Sequence, residues 1–278
     1  FLGGNPKNLE VRNDLVVALS KAGMYDEAQA EAEEILRRDP ENPRVYRALS
    51  SIYFDQGNLG MSQLCNEKAL ALNEGDVGAY NNMGVTYLIQ EDVERAIQRF
   101  KTAIKLDSQN FEANANLGFV ALNSGDYQLA LKSFQAATAT NPSSVDARIG
   151  LAVALRGVGE LDRAGAIYDD IIKGDPKNQI AYYNAATLHE KYTKNFNKAE
   201  KYLQAYVDSH AGSIGPEHEV FARVERIKKS RAEREAYEAE QERLRKEEEE
   251  RKKRNQEALA NLENEVNALV ARIQTMSH

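Results

Sequence analysis

Apolar residues recur along this chain in pairs four residues apart, and the pairs themselves recur at a fixed interval. Leu15 and Leu19, Leu49 and Tyr53, Met83 and Tyr87, and Leu151 and Leu155 are spaced by 34 residues or a multiple of it. Pro6, Pro40, Pro142 and Pro176 keep the same interval. A fixed period of this length means one supersecondary unit copied in series. Cutting the chain at Leu9, Pro43, Val77, Phe111, Val145 and Gln179 brings the copies into register.

Each position of the register has a physical task. Apolar side chains at positions 7 and 11 lie on one face of a helix. Position 8 is small or slim, as Val16, Ser50, Gly84, Gly118, Ala152 and Ala186. Position 20 is Ala28, Ser62, Ala96, Ala130 and Ala164, and small residues at both places let two helices approach closely. Position 15 is Gly23, Gly57, Gly125 and Gly159, with Glu91 in the third copy. A glycine there suits a left-handed turn that reverses the chain. The proline at position 32 stops the second helix, because it lacks an N–H and clashes with the preceding turn. The pattern predicts a helix–turn–helix in every copy. One copy alone cannot bury its apolar face, so the copies must stack into an all-α solenoid.

Stretches such as NLGFVALNSGDYQLALKSFQAATATNP and NMGVTYLIQEDVERAIQRFKTAIKLD carry this register, and the pattern resembles the tetratricopeptide repeat family. The match spans Leu9 to Asn178 and continues less regularly from Gln179 to His210, where Ala199 arrives one residue late. That slip predicts an extra residue in the turn around Thr193–Asn197. The resemblance implies right-handed superhelical stacking, with a concave groove lined by the first helix of each unit.

The organisation changes after His210. The stretch Ala211–Glu217 combines Gly, Ser and Pro and reads as a break, with Pro216 placed for the first turn of a new helix. Val220, Phe221, Val224 and Ile227 form an apolar stripe suited to capping the last repeat. From Lys228 to Glu257 the chain is almost entirely Glu, Lys, Arg, Gln and Ala, with Tyr237 and Leu244 as nearly the only apolar side chains. Pairs such as Glu247–Arg251 and Glu250–Arg254 each add roughly 0.2–0.5 kcal/mol to an exposed helix. Leu259, Leu262, Val266, Leu269, Ile273 and Met276 then alternate spacings of three and four, an a/d seam. The organisation expected is therefore residues 1–8 as the end of a preceding repeat or a linker, and units 9–42, 43–76, 77–110, 111–144, 145–178 and an irregular 179–210. A capping helix over 216–230, a charged helix over 231–257 and a short coiled-coil-like helix over 258–278 follow. The chain opens on Phe1, which reads as a cut inside an array or after an N-terminal segment. A signal peptide or lipid anchor would lie upstream.

Charge and chemistry narrow the function. The formal net charge of −7 speaks against nucleic acid as a main partner. No apolar run approaches the ~18 residues of a membrane span. Cys65 is the single cysteine, so no internal disulfide is possible. It lies on the apolar side of a second helix and reads as a buried, inert thiol. His189, His210, His218 and His278 cluster with neither carboxylates nor Cys65 at metal-ligand spacing, and His189 takes a packing position. No nucleophile stands on a strained turn, and there is no glycine-rich phosphate loop. The expectation is no catalytic residue, no metal and no cofactor.

The groove offers more. Position 6 of the first helix is Asn82, Asn116 and Asn184 in three units, interrupted by Ala48 and Gly150. In tetratricopeptide proteins this position faces the concave surface, and in the nucleocytoplasmic sugar transferases an asparagine ladder there grips peptide backbone. An amide both donates and accepts, which suits that task; equally, Asn is common at this position of the repeat. Tyr80 and Phe119 lie nearby and could add apolar contacts. The two-carboxylate clamp of chaperone adaptors needs Lys and Asn at positions 5 and 9 of one unit. The pairs present are Asn13/Val17, Arg47/Ser51, Asn81/Val85, Ala115/Phe119 and Ile149/Val153, so that clamp is absent.

The expected function is a non-catalytic scaffold that holds partner segments in its groove and presents a C-terminal helix to a hetero-partner or to a second copy in a weak dimer. One alternative is the substrate-recruiting region of an enzyme whose catalytic domain lies upstream. Another is a membrane-associated assembly factor, because the texture of the chain loosely resembles bacterial cell-envelope and gliding-motility repeat proteins. That likeness would imply the periplasm or envelope; the cytoplasm is the other compartment considered.

Overall fold

The computed structural model describes residues 8–276, with side chains described to Arg272; the residues expected to end a preceding unit, apart from Asn8, lie outside them. Every regular element among the described residues is helical. The chain divides into two compact units, one ending at Asn184 and one beginning at Ala185.

The first unit is a run of helical hairpins. They are α1 (Leu9–Lys21) with α2 (Tyr25–Leu36), α3 (Pro43–Asp55) with α4 (Leu59–Leu72), and α5 (Val77–Ile89) with α6 (Val93–Leu106). Then come α7 (Phe111–Asn123) with α8 (Tyr127–Thr140), α9 (Val145–Gly157) with α10 (Leu161–Gly174), and the start of α11 (Gln179–Thr187). The second helices α2, α4, α6 and α8 each pack on the next first helix, and first helices also touch one another, α1 on α3, α3 on α5, α5 on α7 and α7 on α9.

Helix starts follow from capping side chains that recur with the repeat. Asn8, Asn42, Asp76, Asn110 and Ser144 each accept a backbone N–H at the start of a first helix. Asn58, Asp92 and Asp126 do the same for second helices. Such caps contribute about 1 kcal/mol each. Between the helices Gly23, Gly57, Gly125 and Gly159 are left-handed, with φ from 74° to 88°. Glu91 takes the same conformation at φ 61°, so the third copy keeps the turn without glycine.

The core is built where position 24 of the second helix meets position 8 of the first. Phe100 and Phe134 are fully buried. A Cβ on Gly84 would approach Phe100 to 2.5 Å, and one on Gly118 would approach Phe134 to 2.8 Å. The small residue at position 8 is thus the space the aromatic ring fills.

The second unit holds the end of α11, a π-helical turn (Leu188–Tyr192), α12 (Phe196–Ser209) and α13 (Glu219–Met276). The sequence slip is absorbed earlier than expected. The N–H of Thr193 bonds to the carbonyl of Leu188 at 3.1 Å, one residue further back than in an α-helix. Lys194 then takes the left-handed place of the missing glycine at φ 54°. His189 is a packing residue, 8% exposed, stacked 5.6 Å from Tyr202 and bonded through Nδ1 to Thr193 Oγ1 at 3.0 Å.

Pro216 does not open the last helix. α13 begins at Glu219, because His218 Nδ1 accepts the N–H of Val220 and caps the helix there. Val220, Val224 and Ile227 are buried, and α12 packs against α13. Arg223 donates to Glu190 at 2.9 Å and to Thr187 at 2.7 Å, and Arg231 donates to Glu200 at 2.5 Å. The sequence reading divides the tail into a capping, a charged and a coiled-coil-like helix; the structure runs them together as one helix of 58 residues. Every described side chain from 232 to 272 is exposed. Ion pairs one turn apart line this segment, including Arg234–Glu238 at 2.7 Å and Lys252–Glu248 at 2.7 Å. Glu247 pairs back to Arg243 at 3.6 Å.

Candidate functional site

The first helices α1, α3 and α5, with the start of α7, enclose an open cleft of about 500 Å³. Its lining includes Asn13, Arg47, Ser51, Asp55, Asn81 and Asn82. These side chains come to one surface because first helices stack side by side, so the same helical face repeats from copy to copy. Arg47 is held at 2.7 Å from Asp76, which is 5% exposed and also caps the N–H of Ala79 at 3.0 Å. Asp55 is exposed at the end of α3.

Of the five residues expected to bind in the groove, Asn82 lines this cleft; Asn116, Asn184, Tyr80 and Phe119 do not. Asn82 Nδ2 donates to Ser50 Oγ at 3.3 Å and to Ser51 Oγ at 3.2 Å. Asn116 Nδ2 donates to Asn81 Oδ1 at 2.9 Å. Both amides therefore tether one first helix to the preceding one. Asn184 donates to Ile180 of its own helix at 2.9 Å and accepts from Arg156 at 3.4 Å. Phe119 is 41% exposed, with its ring edge-to-face on Phe134 at 4.9 Å. Tyr80 is half-buried.

Sequence reasoning missed Asn13 and Asn81 as groove residues. Position 5 carried the signal, since it reads Asn13, Arg47 and Asn81 in the three copies that line the cleft. It also missed position 24, which reads Ala32, Asn66, Phe100, Phe134 and Tyr168. In the second copy an amide replaces the ring. Asn66 is fully buried with neither Nδ2 nor Oδ1 bonded, and Ser62 Oγ one turn before it is also buried and unbonded. Each such group costs about 1–3 kcal/mol if left so. Beside them lies a recess of about 160 Å³, lined by Ser50, Ser51, Phe54, Asp55, Ser62, Asn82 and Val85.

Cys65 is buried, and burial pushes its thiol from 9.0 up to about 11. Among the described residues no three His, Cys, Asp or Glu are placed to hold a metal ion, and no helix is long and apolar enough to cross a membrane. On α13 Leu259, Leu262, Val266 and Leu269 are 59–61% exposed. The side chains of Ile273 and Met276 lie outside the described residues.

Models of the tetratricopeptide repeat match residues 2–59 and 115–179, and a further repeat model of the same kind matches 86–125. The chain is a tetratricopeptide repeat protein. Its array is similar in fold to YrrB, described as a repeat protein with an unusual peptide-binding site, at 24% identity and a TM-score of 0.61, over 70% of this chain and 97% of that one. It is also similar to PilF of Pseudomonas aeruginosa, at 21% identity and a TM-score of 0.62, over 74% of this chain and 93% of that one. MamA of Desulfovibrio magneticus RS-1 aligns at 19% identity and a TM-score of 0.57, over 62% of this chain and 97% of that one. At these identities the likeness is one of fold. No curated protein matches the chain in sequence.

Proposed function

We propose that the array is a protein-interaction scaffold that holds an extended partner segment in the cleft of α1, α3 and α5. The observation that carries this reading is the cleft itself, about 500 Å³, open, and lined by amides of α1, of α5 and of the cap of α7, with Arg47, Ser51 and Asp55 of α3 between them. The donor halves of Asn82 and Asn116 are occupied by neighbouring repeats. The carbonyl oxygen of Asn82, the one of the two that lines the cleft, makes no hydrogen bond among the described residues and can accept a backbone N–H of a guest strand. The fold likeness to YrrB, a protein described by its peptide-binding site, supports the same reading. It carries no compartment and no pathway.

The test is selection of extended peptides from a random display library on the full chain, repeated with the lining amides Asn13, Asn81 and Asn82 all replaced by Ala. Two or three lost hydrogen bonds at ~0.5–1.5 kcal/mol each should weaken selected peptides by roughly tenfold or more. Helical content should stay unchanged by circular dichroism. No enriched peptide, or unchanged affinity in a folded triple variant, refutes the reading.

A second reading rests on the exposed stripe of α13. Leu259, Leu262, Val266 and Leu269 leave apolar surface in water, at about 25 cal/mol per Å². We infer that this stripe pairs with a helix of a second copy or of another protein. Sedimentation of the chain with and without residues 258–278 decides it: unaltered self-association, together with no partner lost from pull-downs, refutes assembly through the seam.

A further inference from the structure

We propose that the recess in the second repeat is a subsite for a lysine side chain of the segment held in the groove, an inference that rests on the groove reading above. In the third and fourth copies the corresponding space is filled from within. Phe100 packs into the place left by Gly84, and Phe134 into the places left by Gly118 and Gly150. In the second copy the equivalent lining residues are Ser50 and Asn82, and position 24 is Asn66. The ring is missing there, and a recess of about 160 Å³ adjoins its place, lined by Ser50 and Asn82 but not by Asn66 itself. The recess shares Ser51, Asp55 and Asn82 with the groove, so it opens onto the surface where a partner would lie.

The polar atoms that remain define the guest. Asn82 spends its amide hydrogens on Ser50 and Ser51. Ser50 donates to the carbonyl of Arg47 at 2.7 Å. What is left in the lining is Asn82 Oδ1, the carboxylate of Asp55, and Ser62 Oγ, which is 1% exposed and has no partner; the unbonded amide of Asn66 is not part of the lining. Two of these three can only accept, and Ser62 can accept as well. Asp55 is the single charged side chain in the lining. An ammonium brings three donors and no acceptor, and a lysine stem can run between Phe54 and Val85 before its head reaches these oxygens. A carboxylate guest would meet Asp55 and acceptors. An aliphatic guest would leave Ser62 unbonded.

The experiment is an amide NMR titration of the full chain with n-butylammonium chloride, n-butanol and sodium butyrate at matched ionic strength. The expected result is a saturating shift at Ser50, Ser62 and Asn82 with n-butylammonium, about tenfold weaker binding of n-butanol, and none of butyrate. The double variant Ser50→Gly with Asn66→Phe rebuilds the arrangement of the third copy, and it should abolish the response while remaining folded. Should that variant not fold, Asp55→Asn on the exposed helix end decides instead, with an expected loss of about threefold in n-butylammonium affinity. No saturation with n-butylammonium means the recess holds water only, and equal binding of n-butanol means an apolar slot; either overturns the subsite. A folded filled variant that still responds also overturns it, as does Asp55→Asn at full affinity. The peptide selection above is read separately. A chain that enriches peptides but ignores n-butylammonium loses the subsite alone, and a chain that enriches none loses the groove reading.

Discussion

The left-handed turn of the third repeat allows a clean test of how the register sets stability. Glu91 occupies at φ 61° the conformation that Gly23, Gly57, Gly125 and Gly159 occupy in the other copies. A residue with a Cβ is disfavoured there by about 1–2 kcal/mol. Glu91→Gly removes that strain but gives the unfolded chain extra freedom, which costs back roughly 0.4–1 kcal/mol. The expected net change is stabilisation by about 0.5–1 kcal/mol. Gly125→Ala is the reverse experiment. Nothing lies within 4 Å of a Cβ built on Gly125, so no steric clash enters, and the expected change is destabilisation by about the same amount. Glu91→Ala keeps the Cβ and controls for loss of the exposed carboxylate. Urea unfolding followed by circular dichroism reads all three as shifts in midpoint at constant slope. A destabilised Glu91→Gly, or a Gly125→Ala with no loss, would show that backbone strain does not govern this turn.

Leu117 is 3% exposed in the cluster of Met83, Tyr87, Phe100 and Val120; Leu117→Ala should cost roughly 2–5 kcal/mol by the same assay, and a loss under ~1 kcal/mol would place it outside the core. The Cys65 thiol, raised to about 11, should react with a thiol reagent at pH 8 on the order of 100-fold more slowly than in urea, and equal rates would contradict its burial. The folded chain holds that proton more tightly than the unfolded chain. Its contribution to stability is therefore complete below pH 9 and is lost as the pH rises from there towards 11, which a melt series over that window would register.

The sequence by itself determined the repeat, the helix pairs, the reversing turns and the charged tail, because each depends on residues within one turn or one hairpin of each other. Position 15 was readable as a left-handed turn because only glycine adopts that conformation without strain, and Ala28, Ala96 and Ala130 were readable as close-approach sites from size alone. The tertiary structure decided the fate of the amides. Asn82 was legible as a concave residue, but its donors go to Ser50 and Ser51, 32 and 31 residues earlier, and those of Asn116 go to Asn81, 35 residues earlier. The extra residue after α11 was visible as a slip in register, yet its placement in the π turn depended on which carbonyl Thr193 could reach. Asn66 was one letter in a column until the neighbouring rings of Phe100 and Phe134 gave its space a meaning. Period and composition are carried by near neighbours along the chain; which hydrogen-bonding atoms remain free for a guest is settled between neighbouring repeats, about one period apart, where side chains compete for the same partners.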